Sequence, residues 1–458
     1  MRGHQQGRPR RRVLLTLLAG AIAAQLIAST AATAYLAATA HPPSPPVAGL
    51  LARTAPGLTG DISTISPAER TRRASAIRGL LERRSAALLV RDRTGFLAGV
   101  DPGSPAFRAK QAQLFDNLAR VPLRSWSYVL DADHELPQSP SRLARYHAPL
   151  WVPHLDVAYE LAGFDTRPTV QRQYDTFVER AGRWYLGADD DFADAGGQTG
   201  RGLWDFGPVV VTPTPTSLVL GHPHTAATLR AVASVVDIAI PRVTAVWGRD
   251  WPGKVVVLVP DTQDELSRIL LEGNDLSQIA AVATAELSGS GRSPAGERII
   301  VNPPNFAKLG TLGRDVVLTH EITHVASRAA TTAATPTWLA EGFADYVGYL
   351  DTGVPVTAAA HELTVEVRTG RVPAALPTAA DFAGSNPRLA QTYEMSWLAC
   401  RLIAASTGRA GLVAFYRQVG AYHGAPAAAV EAALSARVHV STAQFTRSWR
   451  DAMVRQLR

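Results

Sequence analysis

The residues of this chain whose types and spacing could do chemistry lie in Arg314-Asp-Val-Val-Leu-Thr-His-Glu-Ile-Thr-His-Val-Ala326, which contains His320-Glu321-Ile322-Thr323-His324. Residues four apart share one face of a helix. Imidazoles at 320 and 324 can therefore converge on one metal ion, while Glu321 reaches the water beside it. With this histidine and glutamate content an H-E-x-x-H is expected by chance about 0.01 times. The bland alternative is a helix with two surface histidines, and it weakens downstream. Zinc in hydrolases takes three protein ligands and leaves one position for water. The segment Thr335-Pro-Thr-Trp-Leu-Ala-Glu-Gly-Phe-Ala-Asp-Tyr346 offers the third. Thr335 can cap a helix there and Pro336 fits its first turn, which puts Glu341 and Asp345 four apart on one face. Glu341 can ligate the metal, and Asp345 can accept the free ring N–H of a ligand histidine. The chemistry this set points to is metal-assisted hydrolysis, in which zinc would be held by His320, His324 and Glu341 and Glu321 would remove a proton from water.

These side chains need two helices packed on a sheet, and the flanking sequence supplies both. Ser217-Leu-Val-Leu220 reads as a strand, Thr225 to Trp247 as a helix, and Val255 to Val259 as a buried strand followed by an Asp-capped helix to about Leu271. Ile279 to Ala285 and Arg298 to Asn302 read as two more strands, and Gly313 to the end as mainly helix. Upstream, residues 66 to 94 read as a long amphipathic helix opened by Ser66-Pro67, and a shorter helix follows near Pro105 to Leu118. Strands are then expected at Trp126–Leu130, Val157–Leu161, Gln171–Val178 and Arg183–Leu186. Thr212-Pro-Thr-Pro-Thr216 reads as the junction. The expected organisation is α+β: a membrane or signal segment at 1–40, a linker at 41–64, a cone-like α+β domain at 65–211, and a domain at 212–458 with a small mixed sheet followed by a helical block.

The second half resembles the gluzincin metallopeptidases, the peptidase MA-like group that includes thermolysin and the zinc aminopeptidases. The resemblance rests on His320-Glu-x-x-His324 and on Glu341 within Trp338-Leu-Ala-Glu-Gly-Phe-Ala344, with Asp345 at the histidine-supporting position. It implies a zinc-dependent peptidase with a peptide or protein substrate. It also implies that Arg298-Ile-Ile-Val-Asn302 is the edge strand along which an extended peptide lies, and that Tyr393 stabilises the oxyanion. The chain lacks the G-x-M-E-N motif that reads a free amino terminus, and the third histidine of the metzincins. His361-Glu362-Leu-Thr364 ends in Val365 and reads as ordinary helix. The first half resembles the nuclear transport factor 2-like family through Arg91-Asp-Arg-Thr-Gly-Phe96 and Gly182-Arg-Trp-Tyr-Leu186. His147, His154 and Asp156 fit no metal spacing and read as polar residues at the sheet surface.

Composition narrows the remaining classes. A 46% hydrophobic, 19% charged chain is globular rather than disordered. The formal charge of +7 owes five units to Arg2, Arg8, Arg10, Arg11 and Arg12, and the remaining basic residues are scattered, so nucleic acid is not an expected partner. Those arginines precede an uncharged run from Val13 to Ala40, long enough to span a bilayer, which places the rest of the chain outside a cell membrane. The alternative is a signal peptide cleaved after Ala38-Thr39-Ala40, giving a secreted protein. His41-Pro-Pro-Ser-Pro-Pro46 reads as a stiff spacer. The arginine-for-lysine, alanine-rich usage suits a high-GC bacterium. Cys400 is the only cysteine, which excludes an intramolecular disulfide and a cysteine-rich zinc site, and it reads as a core residue. The rival readings are a non-catalytic surface binding protein and a latent enzyme whose first half covers the cleft. Oligomeric state is not legible.

Overall fold

The computed structural model describes residues 61–62, 65–270, 280–286 and 295–458. The expectations for the membrane or signal segment, its cleavage after Ala40 and the spacer at 41–46 lie outside the described residues, as does most of the 41–64 linker.

The first half begins with β1 (Asp61–Ile62) and α1 (Pro67–Leu89). The Ser66 side chain caps α1 by accepting the Glu69 N–H at 3.2 Å, and Pro67 needs no donor in the first turn. The stripe of Ala74, Ile77, Leu80, Leu81 and Leu88 is buried, and α1 lies across β2 (Leu123–Glu135) and β7 (Arg183–Ala188). Helices α2 (Arg93–Leu97), α3 (Pro105–Asn117) and α4 (Pro140–Tyr146) complete the helical part. β1, β2, β4 (Pro153–Leu161) and β5 (Thr169–Gln173) form an antiparallel sheet in that order. β3 (Leu150–Trp151), β6 (Thr176–Arg180) and β7 form a second. The single strand expected over Gln171–Val178 is two strands in different sheets. At the corner the Tyr174 N–H leaves the ladder and donates to Thr199 Oγ1 at 3.0 Å, and the chain crosses from one sheet to the other.

The second half is built on a five-stranded mixed sheet. Its strands are β8 (Val210–Pro213), β9 (Ser217–Gly221), β10 (Val255–Val259), β11 (Ala281–Glu286) and β12 (Ala295–Val301), in spatial order β11-β12-β10-β9-β8. β9, β10 and β12 are parallel, and β8 and β11 are antiparallel to their neighbours. The segment 212–216, expected as the junction, is part of the sheet. Thr212 and Pro213 end β8, and Thr214 and Thr216 make a tight turn whose hydroxyls donate to Asp237, each at 2.7 Å.

Both faces of this sheet are covered, which explains why Val255–Val259 is apolar throughout rather than alternating. Leu218, Leu220, Val256, Leu258, Val282 and Ile300 pack with Phe96, Phe115, Trp126, Tyr159 and Trp204 of the first half. Val219, Val255, Val257, Val259, Ile299 and Val301 point the other way, into a core shared with α5 (Ala226–Trp247) and the helical block. The two halves thus share a core.

Three expectations change here. The strand at Arg298–Asn302 lies inside the sheet, between β11 and β10, because β11 returns antiparallel onto it and takes the outer position; β11 is the edge. Helix α6 (Gln263–Leu270) is capped by the Thr262 hydroxyl, which accepts the Glu265 N–H at 3.1 Å, and not by Asp261. Thr335 does not cap the later helix α9 (Thr337–Gly348); Pro336 holds that position, and the Thr335 hydroxyl accepts the Thr332 N–H instead.

The helical block comprises α7 (Pro303–Lys308), α8 (Thr311–Ser327), α9, α10 (Val356–Ala359), α11 (His361–Arg368), α12 (Leu389–Gly420), α13 (Pro426–Arg437) and α14 (Thr442–Leu457). Among the described residues α12 is the one helix long and apolar enough to cross a membrane. It breaks at Gly408 (φ 77°), and its Tyr393, Trp397, Cys400, Ile403 and Phe415 are buried in the core. Two glycines on α9 permit its close approach to its neighbours. A Cβ on Gly342 would stand 2.3 Å from the Ser396 carbonyl oxygen of α12, and one on Gly348 would stand 3.1 Å from that of Val316 in α8. Gly342→Ala must therefore push α9 off α12. Overpacking of this kind costs roughly 1–3 kcal/mol, and thermal unfolding is expected to show a lower Tm. An unchanged Tm would mean that the two helices separate freely.

Candidate metal centre

Helix α8 carries His320, Glu321 and His324, and α9, packed against it, carries Glu341 and Asp345. The Nε2 atoms of His320 and His324 lie 3.0 Å apart, and each is 3.3 Å from Glu341 Oε2. Two ligands held at the usual zinc distance in a tetrahedron are about 3.3 Å apart, so the three donors already have the spacing of one face of a zinc site. Neither Glu341 oxygen has a hydrogen bond, although both are buried. A carboxylate withdrawn from water in that way is costly unless a cation meets it.

Asp345 fixes the tautomer. Its Oδ1 accepts from His320 Nδ1 at 2.7 Å, which leaves the Nε2 lone pair facing Glu341 and His324. His320, Glu321 and Glu341 are completely buried, and His324 and Asp345 nearly so. Burial disfavours charge on the His320 ring, yet the Asp345 and Glu341 carboxylates outweigh it and hold the ring's pKa well above the ordinary imidazole value. Burial would likewise raise the Glu341 carboxyl, but the two imidazoles lower it to about 2. The pocket attracts positive charge, which a divalent ion supplies more fully than a proton. The residues fit zinc. Asp345→Asn keeps the shape but removes the charge behind His320; zinc affinity should fall about 10–100-fold, read by competition with a chromogenic chelator. Unchanged affinity would make Asp345 a bystander.

Tyr393 is the fifth residue of α12, with its ring edge-on to Phe382 at 5.3 Å. Its hydroxyl is buried without a hydrogen-bond partner. Burial, then the charges of Glu341, Asp345 and Glu321, push the phenol well above its ordinary range. Arg328 and Glu297 form a further, part-buried pair that the sequence motifs do not mark. Arg328 continues the helical stripe of His320 and His324 at the same four-residue interval, and its Nε donates to Glu297 Oε1 at 2.9 Å from β12. That interval was the available signal for Arg328; Glu297 had none, because only the fold brings β12 to it.

Elsewhere, Cys400 is a buried free thiol beside the Leu339 carbonyl, as expected of a core residue. His361 and Glu362 begin α11 and are not part of the His320–His324–Glu341 group. His147 is exposed and Asp156 pairs with Arg172 at 2.6 Å, as expected of polar residues at the surface of a sheet. His154 departs from that expectation. It is 6% exposed, both ring nitrogens lack hydrogen bonds, and it stacks on His134. The cause is its place on β4, opposite Asp131 of β2, with its ring turned inward.

No family model matches the chain, in either half, and no curated protein matches it. Among solved structures, the chain is similar to a mutant of an M1 zinc metallopeptidase from Deinococcus radiodurans, with 16% identity and a TM-score of 0.31, covering 71% of this chain and 70% of that one.

Proposed function

We propose that this chain is an extracytoplasmic zinc-dependent peptidase. The observation that carries the reading is the buried His320–His324–Glu341 triangle at zinc-ligand spacing, with Asp345 behind His320 and Glu321 adjacent. Held by His320, His324 and Glu341, a zinc ion would supply a Lewis acid able to lower the pKa of water towards about 7 and to polarise a carbonyl. Glu321 takes the proton of the attacking water and passes it to the leaving nitrogen. Its burial keeps competing water away from that transfer. The Tyr393 hydroxyl, which has no protein partner, donates a hydrogen bond to the oxyanion. β11, the free edge of the sheet beside α8, takes the place first expected of Arg298–Asn302 as the strand an extended peptide would join. Export rests on the arginine-led apolar run at 13–40, either as an anchor or as a cleaved signal.

One observation favours a latent form of the same enzyme: His320, Glu321, His324 and Glu341 are at most 4% exposed, so substrate must open the cleft. Full-length protein should cleave an unstructured protein substrate, lose that activity on dialysis against EDTA and regain it with zinc. Cleavage indifferent to metal removal would overturn the proposal.

A further inference from the structure

A second group of imidazoles and carboxylates lies at the ends of two adjacent parallel strands, outside the triangle on α8 and α9. β9 and β10 pair in register as far as Gly221 and Val259, and the next residues of each enter loops that face one another, a common place for ligands in parallel sheets. The β9 loop carries His222 and His224, and the β10 loop carries Asp261 and, in the first turn of α6, Glu265. Donor atoms of His222, Asp261 and Glu265 all lie within 4.8 Å of one another.

The His222 ring is built into place. Its side chain is 4% exposed, and Nδ1 is 2.9 Å from the Pro208 carbonyl, to which it donates. Gly207 leaves room for the ring, since a Cβ there would stand 3.2 Å from Nδ1. With the proton on Nδ1, the Nε2 lone pair faces Glu265 Oε2 at 3.3 Å, and Nε2 makes no hydrogen bond. Backbone anchoring of one ring nitrogen with the other presented to a carboxylate is the arrangement by which proteins orient metal-binding histidines. Glu265 is fixed too: its Oε2 accepts the Asp261 N–H at 2.8 Å. Asp261 Oδ1 is buried without a partner, and Oδ2 is 3.0 Å from His224 Nε2. Neither carboxylate forms an ion pair with lysine or arginine among the described residues; their charged neighbours are the two histidines.

We propose that His222, Asp261 and Glu265 form a second divalent-metal site of the zinc class, with His224 at its outer edge holding Asp261. Imidazole with carboxylate oxygens suits zinc or cobalt rather than the all-oxygen preference of calcium and magnesium. Bound there, the ion would tie the β9–α5 loop to the β10–α6 loop, and the two carboxylates would balance its charge.

The test uses full-length protein and cobalt as the probe. His320→Ala with His324→Ala removes the first centre, and this variant should still bind one cobalt per chain, seen by its visible absorption; adding His222→Ala should abolish that binding. No cobalt in the first variant, or cobalt that persists after His222→Ala, would overturn the site. If the first variant does not fold by circular dichroism, the comparison moves to the otherwise unchanged chain. There, Glu265→Gln with His222→Gln should lower the stoichiometry by one equivalent, and an unchanged count overturns the proposal. Metal lost on changing His222 but not on changing His320 and His324 would support this site while refuting the peptidase centre, so the two readings fail separately.

Discussion

Glu321→Gln is expected to bind zinc as the unsubstituted chain does and to lose between about a hundredfold and ten-thousandfold in turnover, the usual contribution of a positioned general base. The amide has the volume of the carboxylate, so the packing around a fully buried position is kept, and the proposed zinc donors on His320, His324 and Glu341 are untouched. It cannot accept a proton near neutral pH, and the water loses its base. At about 1.4 kcal/mol per decade the barrier rises by roughly 3–5 kcal/mol. The measurement is kcat on a quenched peptide beside zinc content by elemental analysis. Full activity with full zinc would remove Glu321 from the mechanism. Zinc loss in this variant would instead make the carboxylate a ligand.

Arg298→Ala is expected to destabilise the chain by about 3–5 kcal/mol, the typical cost of removing one partner of a buried ion pair. Arg298 reaches from β12 into the first half, where its two terminal nitrogens each stand 2.8 Å from an Asp165 oxygen and one donates to Thr169 Oγ1 at 2.9 Å. Both side chains of the pair are about 5% exposed, so truncation leaves Asp165 buried with its charge uncompensated. Lys254→Ala is the control: its amine reaches the Gly163 carbonyl nearby, but at an exposed position, and such a change is worth within about 0.5 kcal/mol. Denaturant unfolding of both variants decides the matter. Equal midpoints would mean that the first half does not depend on β12, and that the shared core alone joins the halves. A further result of that ion pair concerns peptide binding, because a residue so engaged is not free to line a substrate edge.

The grouping of His320, His324 and Glu341 was legible because its signal is local. His320, Glu321 and His324 are set by helical periodicity alone, and Glu341 and Asp345 by the same periodicity on a second helix, so residue type and interval suffice to put each set on one face. Ser66-Pro67 and the apolar stripe of α1 were legible for the same reason. What failed was whatever depends on partners distant in sequence. Nothing within Gln171–Val178 marks the break at Tyr174–Asp175, because which sheet each half joins is decided by partner strands distant in sequence. His154 read as surface because alternation says which residues share a face but not which face is covered. The place of Arg298–Asn302 inside the sheet depended on where β11 returns, which no property of β12 itself encodes.

The sequence by itself determined the two helices, the residues on each that could meet a metal, and the all-apolar β10 that must be buried on both sides. Only the tertiary structure decided that those helices face one another with donors about 3.3 Å apart, where Gly348 lets α9 sit close to Val316 of α8. It also decided that the two halves share a core, and that His222 and Glu265 meet at the ends of neighbouring strands. The physical reason is common to these cases: hydrogen-bonding periodicity is a property of a few consecutive residues, whereas the approach of two elements is a compromise among all the side chains packed between them.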